Sequence, residues 1–205
     1  MNLSSLFVVS GPSGVGKTSL VKALTDSNPS LVCPVSYTTR PPRPGELQGV
    51  NYHFVDADVF QQMVDNNEFL EHAQVFGNRY GTARQTVQQQ LELGKTLLLE
   101  IDWQGAAQAR KLFPDATTVM ILPPSIKGLR QRLQNRQQDD VETIEQRMLE
   151  ATQELSHYGD FDYLIINEIF ETALIELESV LKVSQLRSCA LTDEVKRLLP
   201  ELDGL

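Results

Sequence analysis

The sequence predicts an α/β protein: a parallel-sheet phosphate-loop core with helices on both faces, a small mixed α/β lobe inserted into it, and a helical lid. Three observations carry that expectation. The stretch Gly11, Pro12, Ser13, Gly14, Val15, Gly16, Lys17, Thr18 fits the phosphate-binding pattern G-x-x-x-x-G-K-[ST] at every required position. Apolar runs of strand length alternate with segments whose apolar residues recur at helical spacing. The alternation is interrupted once, by a proline-rich stretch and a hairpin signal, and then resumes.

Taken in order, Leu3 to Ser10 reads as the first strand and Lys17 to Asp26 as the first helix, so the glycine-rich turn lies between them, as its physics requires. Leu31 to Ser36 reads as a second strand. Thr39 to Gly45 holds three prolines and is expected to be irregular, because proline removes a donor and fixes φ. Asn51 to Val55 reads as a strand. Asp56 or Asp58 can cap a short helix carrying Val59, Phe60, Met63 and Val64 on one face. Phe69 to Val75 and Arg79 to Thr82 flank Phe76-Gly77-Asn78 as a hairpin. Thr86 to Leu93 is a helix ended by Gly94. Thr96 to Asp102 is almost wholly apolar until its end, the mark of a buried parallel strand. Gln104 to Leu112 is helical and Thr117 to Leu122 is another buried strand. Ser125 caps a helix bearing Ile126, Leu129 and Leu133, and Asp139 and Asp140 begin a second helix through His157. Tyr163 to Ile166 is the last strand and Ile169 to Ser184 the last long helix, followed by an amphipathic tail from Leu191 to Leu199. The expected division is a core of residues 1–36, 89–124 and 158–205, an insert at 37–88 and a lid at 125–157.

The chain has 205 residues, enough for one compact domain with small lobes, and a net charge of −9, which argues against a nonspecific nucleic-acid surface. Cys33 and Cys189 are too few and too far apart for a metal-site spacing or a disulfide framework. There is no leader pattern and no apolar run of bilayer length, so a soluble cytoplasmic protein is expected. His53, His72 and His157 show no metal-ligand spacing and read as structural or solvated. The amphipathic tail can pack on its own core or on a second subunit of a homo-oligomer.

The phosphate loop implies a nucleoside triphosphate. Lys17 reaches terminal phosphate oxygens, and the Thr18 hydroxyl can ligate Mg²⁺. Asp102 ends the buried strand at the carboxyl edge of the sheet, where ligands sit, and is placed to hold Mg²⁺ directly or through water; Glu100 lies two residues earlier on the same face. Asp102-Trp103-Gln104-Gly105 also fits D-x-x-G, a pattern of GTP-hydrolysing switches, although no N-K-x-D follows. Arg40 and Arg43, on the proline-stiffened loop, suit a second anion. Arg132 and Arg136 share a helix face and, with Arg147, can close over phosphates. No nucleophile–base pair stands out. None is needed if the acceptor is itself a phosphate, since a monoester with a second pKa near ~6 is mostly dianionic at neutral pH.

These residues resemble the guanylate kinase family. The likeness runs from Val8 to about Lys182 and rests on separated stretches in family order: Val9 to Thr18, Val35 to Glu46, Asn67 to Glu71, Gly77 to Thr82, Ile101 to Gly105, and Pro123-Pro124-Ser125 followed by Leu129, Arg132, Leu133 and Arg136. The resemblance implies Mg-dependent transfer of the γ-phosphate of ATP to GMP, and to dGMP, in purine nucleotide metabolism. It implies that Gly11 through Thr18 and Asn167 bind ATP, with Asn167 near adenine. Ser36, Glu71, Thr82 and Asp102 then read guanine, with Glu100 beside them. Arg40, Arg43, Tyr52 and Tyr80 clamp the GMP phosphate, and Lys17, Arg40, Asp102, Arg132, Arg136 and Arg147 serve the transfer. A carboxylate at Glu71 fits that role, because guanine presents N1–H and an exocyclic amine side by side. One departure is visible: family members commonly have Gly after the position of Arg136, where this chain has Gln137-Gln138-Asp139. The rival readings are a guanylate-kinase-like binding module without activity and the GTP-hydrolysing switch.

Overall fold

The computed structural model describes residues 6–134, 141–187 and 197–199. Its centre is a five-stranded, all-parallel sheet in the order β2-β7-β1-β8-β9, formed by β1 (Leu6–Ser10), β2 (Leu31–Val32), β7 (Thr96–Glu100), β8 (Thr117–Leu122) and β9 (Tyr163–Ile166). All five residues of β1 are buried, and the apolar four, Leu6 to Val9, alternate between two apolar layers. Phe7 and Val9 join Leu20, Val21 and Leu24 of α1 (Lys17–Ser27) and Ala173, Leu177 and Leu181 of α7 (Phe170–Gln185). Leu6 and Val8 join Val87 of α3 (Arg84–Glu92) and Ala106 and Ala109 of α4 (Trp103–Leu112) on the other face. The helices therefore cover both faces, as a two-sided apolar strand demands.

The insert holds a second sheet in the order β4-β3-β6-β5: β3 (Tyr37–Thr38), β4 (His53–Phe54), β5 (Phe69–Val75) and β6 (Asn78–Ala83), with α2 (Ala57–Asp65) laid against it. Phe60 of α2 is fully buried and stacks on Phe69 at 4.5 Å, while Val59, expected on the same apolar face, is exposed. The hairpin turns through Phe76 and Gly77, both at positive φ (51° and 71°), as a tight two-residue hairpin turn requires. Asp56, not Asp58, is the residue preceding α2.

Several strands are shorter than the sequence led us to expect. β2 stops at Val32 rather than reaching Ser36, because Pro34 has no N–H to give the ladder. β4 covers only His53–Phe54 of the expected 51–55. The two helices expected to form the lid are α5 (Ile126–Gln134), capped by the Ser125 hydroxyl, which accepts the Gly128 N–H at 3.0 Å, and α6 (Val141–Ser156). They share a small core of Leu129, Leu133, Ile144, Met148 and Ala151. Arg136, Gln137, Gln138, Asp139, Asp140, Cys189 and the expected tail from Leu191 to Lys196 lie outside the described residues. No helix among the described residues is long and apolar enough to cross a membrane.

α4 joins the two sheets. Gln108 acts as a surrogate strand neighbour for β5: its amide donates to the His72 carbonyl at 2.8 Å and its oxygen accepts the His72 N–H at 3.1 Å.

Candidate active site between the two sheets

The carboxyl ends of β1 and β7 and the inner face of the insert enclose one cavity of about 690 Å³. On the core side it is walled by the phosphate loop and by Glu100, Ile101 and Asp102. The loop runs from β1 into α1, whose first helical residue is Lys17 and whose first turn carries no acidic side chain, so the positive helix end is unneutralised from within. Gly16 sits at φ 96°, and a Cβ there would lie 2.5 Å from the Asn167 side-chain nitrogen, so only glycine fits. The Lys17 ammonium donates to the Gly11 carbonyl at 2.9 Å. The Thr18 hydroxyl donates to Glu100 Oε1 at 2.6 Å.

Asp102 caps α4: Oδ1 accepts the Gly105 N–H at 2.9 Å and Oδ2 accepts the Gln104 amide at 3.0 Å. A Cβ on Gly105 would stand 2.4 Å from Glu71 Oε2. The D-x-x-G tetrapeptide thus has a local explanation: aspartate caps the helix and glycine leaves room for a buried carboxylate. Glu71 is 3% exposed. Burial pushes its carboxyl up to about 7, with the nearby Asp102 charge adding to the rise, while hydrogen bonds from the Thr82 hydroxyl and amide oppose it. Ser36 and Thr82 hydroxyls approach within 3.4 Å beside it. Thr82 is itself buried and stands behind Ser36 rather than on the main cavity wall.

The opposite end of the insert wall is cationic. Arg40 donates to Glu46 Oε1 at 2.8 Å and to the Pro41 carbonyl at 2.7 Å, and lies over the rings of Tyr52 and Phe54 at 5.5 and 5.8 Å. Burial favours the neutral form of Glu46, yet hydrogen bonds from the Arg40 guanidinium and the Arg43 N–H hold its carboxyl below the usual range. Tyr52 meets Tyr80 edge-on at 5.9 Å, and burial raises the Tyr52 phenol well above its ordinary range. Arg43 shares this wall. From α6, Arg147 lines the cavity and faces the Phe76 ring at 5.4 Å, so α6 meets the hairpin tip across the opening.

Lys17, Thr18, Ser36, Arg40, Arg43, Tyr52, Glu71, Tyr80, Glu100, Asp102 and Arg147 therefore converge on one cavity. Besides Thr82, three expected residues do not line it: Arg132, Asn167 and Val15. Arg132 donates to the carbonyls of Val15 (3.2 Å) and Asn167 (2.7 Å), and Asn167, 5% exposed, donates to the Val15 carbonyl at 2.7 Å. They brace the loop from behind. Val15 itself is fully buried, its side chain in the core. Arg136 lies outside the described residues. Sequence reasoning missed Glu46, Phe76 and Glu154 on the cavity wall. Glu46 carried a signal, an acid six residues after Arg40 in a proline-stiffened loop; Glu154 carried none. Among the described residues no three His, Cys, Asp or Glu side chains converge to hold a metal ion by themselves.

A parallel sheet with a phosphate loop at its carboxyl edge, opposed by an inserted lobe with its own arginines and buried carboxylate, defines a P-loop nucleotide-binding protein with a second ligand half-site. The model of the family described as Guanylate kinase matches residues 4–184, and the chain belongs to that family. Guanylate kinase of Pseudomonas fluorescens strain Pf-5 is 52% identical over 200 residues, covering 98% of this chain and 97% of its own. Guanylate kinase of Coxiella burnetii is 48% identical over 202 residues, covering 98% of both. The crystal structure of guanylate kinase from Anaplasma phagocytophilum superposes with a TM-score of 0.78 at 33% identity over 93% of each chain.

Proposed function

We propose that the protein transfers the γ-phosphate of ATP to GMP, and to dGMP, giving ADP and the nucleoside diphosphate, in cytoplasmic purine nucleotide metabolism. One observation carries this reading. The phosphate loop and the Arg40–Arg43–Glu71 wall face each other across a single cavity, which suits a donor and an acceptor phosphate brought into line. Glu71 takes the two adjacent donors of guanine, with Asp102 and Ser36 beside the base and Thr82 behind them. Adenine would set a lone pair against the same carboxylate, at a cost of about 1–3 kcal/mol. Arg40, Arg43, Tyr52 and Tyr80 hold the acceptor phosphate as a dianion that needs no general base. Lys17, with Arg147 and Arg136 from the lid, offsets charge that develops on the moving phosphoryl group. Arg132 supports the loop carbonyl at Val15. The insert at 37–88 and the lid at 125–157 close on the core and exclude water as a competing acceptor.

The Thr18 hydroxyl and the Glu100 carboxylate, hard oxygen donors in contact on the cavity wall, fit Mg²⁺ held together with the nucleotide phosphates, with Asp102 beside them. Bound there, Mg²⁺ screens the phosphoryl oxygens.

The test is a coupled ADP-release assay with ATP and each monophosphate in turn. GMP-dependent turnover, with AMP, CMP and UMP far poorer, is the expected result. ATP or GTP consumption that is indifferent to GMP would sink the reading, and so would GMP binding without turnover.

A further inference from the structure

Glu154 has no part in the mechanism above, yet it is a nearly buried carboxylate on the wall of the same cavity. It projects from α6, two helical turns after Arg147. Seven residues at 3.6 per turn return to almost the same face, so both side chains reach the cavity from one stripe about 10 Å long. Its carboxylate meets the start of the phosphate loop. The buried Ser10 hydroxyl donates to Oε1 over a long 3.5 Å, and the Gly11 backbone N–H favours the charged form of the carboxylate. The carbonyl of the same Gly11 receives the Lys17 ammonium at 2.9 Å. Carboxylate and ammonium therefore meet the loop at neighbouring residues, Glu154 at the Ser10 hydroxyl and Lys17 at the Gly11 carbonyl. Burial pushes the Glu154 carboxyl up, the Lys17 charge pulls it back, and the nearby Asp102 charge adds to the rise. An anion beside an anion-binding loop opposes ligand binding, so its presence calls for a compensating role.

Given the phosphotransfer reading, we propose that Glu154 is a positioning residue: it fixes the Ser10–Gly11 start of the loop and the Lys17 ammonium, and seats on them the helix that carries Arg147. The arrangement ties the donor cation to the lid cation through one side chain. It acts through Lys17 and Arg147 and touches no phosphate itself.

Replacing the charge while keeping the shape separates this from a purely structural anchor. In Glu154→Gln the loop loses its counter-charge. We expect kcat for ATP and GMP to fall about tenfold, the KM for GMP to stay within about twofold, and ADP affinity by titration calorimetry to be unchanged or tighter. Glu154→Asp, which keeps the charge, recovers part of kcat. A structural anchor gives the opposite split: ADP binding and thermal midpoint fall together, and kcat per folded molecule stays at the wild-type level. Wild-type kcat in Glu154→Gln, or ADP affinity lost in proportion to kcat, overturns the proposal. If Glu154→Gln does not fold, Ser10→Ala removes one donor to the carboxylate and is read in the same way, with an expected fall in kcat of about threefold. Failure of the phosphotransfer reading shows in the wild-type protein, whereas failure of this inference shows only between variants.

Discussion

A carboxylate buried between two sheets with no cation against it weakens the fold that holds it, and Glu71 is in that position. Its carboxyl is raised from 4.5 to about 7, so the folded chain keeps this proton where the unfolded chain has lost it. The group's contribution to stability is full below pH 4.5, falls as pH rises to about 7 and is flat beyond. The span corresponds to about 3 kcal/mol. Glu71→Gln does not titrate, so chemical denaturation should show its stability relative to wild type rising by up to about 3 kcal/mol between pH 4.5 and 7.5. Guanine needs the ionised form, since protonation occupies one acceptor oxygen. The KM for GMP should therefore climb below pH 7 in wild type and stay high and flat in Glu71→Gln. A wild-type KM that is flat from pH 5.5 to 8 would remove Glu71 from base recognition. At this scale the sequence showed Lys17, Thr18, Arg40 and Arg43 through local motifs. The Asn167–Arg132 brace behind the loop was not legible as such, because its partners at Val15 lie 152 and 117 positions away and only the closed sheet joins them.

The exposed edge of β5 is finished by the side chain of Gln108 rather than by another strand. Gln104 adds a long contact to the Gln74 carbonyl at 3.5 Å. Since Glu71 and Ala73 of β5 line the cavity, α4 sets the distance between the acceptor wall and the core. Gln108→Ala should lower stability by about 1–2 kcal/mol, the loss of two partly exposed hydrogen bonds. It should also raise the KM for GMP severalfold and leave ADP affinity at the wild-type value. Equal losses for both nucleotides would show that the bracket is not specific to the acceptor side. The hairpin, β8, β9 and the run of helices were legible because each carries its period or turn signal within a few residues. β2 and β4 were over-read, since apolar composition favoured longer strands while ladder partners and Pro34 limited them. The bracket left no trace, because a glutamine on a helix surface looks the same in sequence whether or not an edge strand passes beside it.

Insert and core share an apolar layer, and this decides how the whole molecule unfolds. Leu70 of β5, 6% exposed, packs in one cluster with Leu6 and Val8 of β1, Leu97 and Leu99 of β7, and Val87 of α3. The chain reads as a core with an excursion at 37–88, but the excursion closes its own core only in part, at Phe60 and Phe69, and borrows the rest from the central sheet. An inserted lobe of this kind cannot melt first without exposing the face of β1 and β7 that it covers. Thermal unfolding should therefore be one transition, with Trp103 fluorescence, which reports α4 at the junction, and far-UV circular dichroism giving the same midpoint. Leu70→Ala should cost about 2–5 kcal/mol. For a chain of this length that lowers the single midpoint by roughly 4–20 °C, at ~2–4 °C per kcal/mol, without splitting it. The competing outcome is an early transition confined to the insert, with the core midpoint and ADP binding unchanged. It would mean that the two units are thermodynamically separate and that Leu70 packs on the core without being required by it.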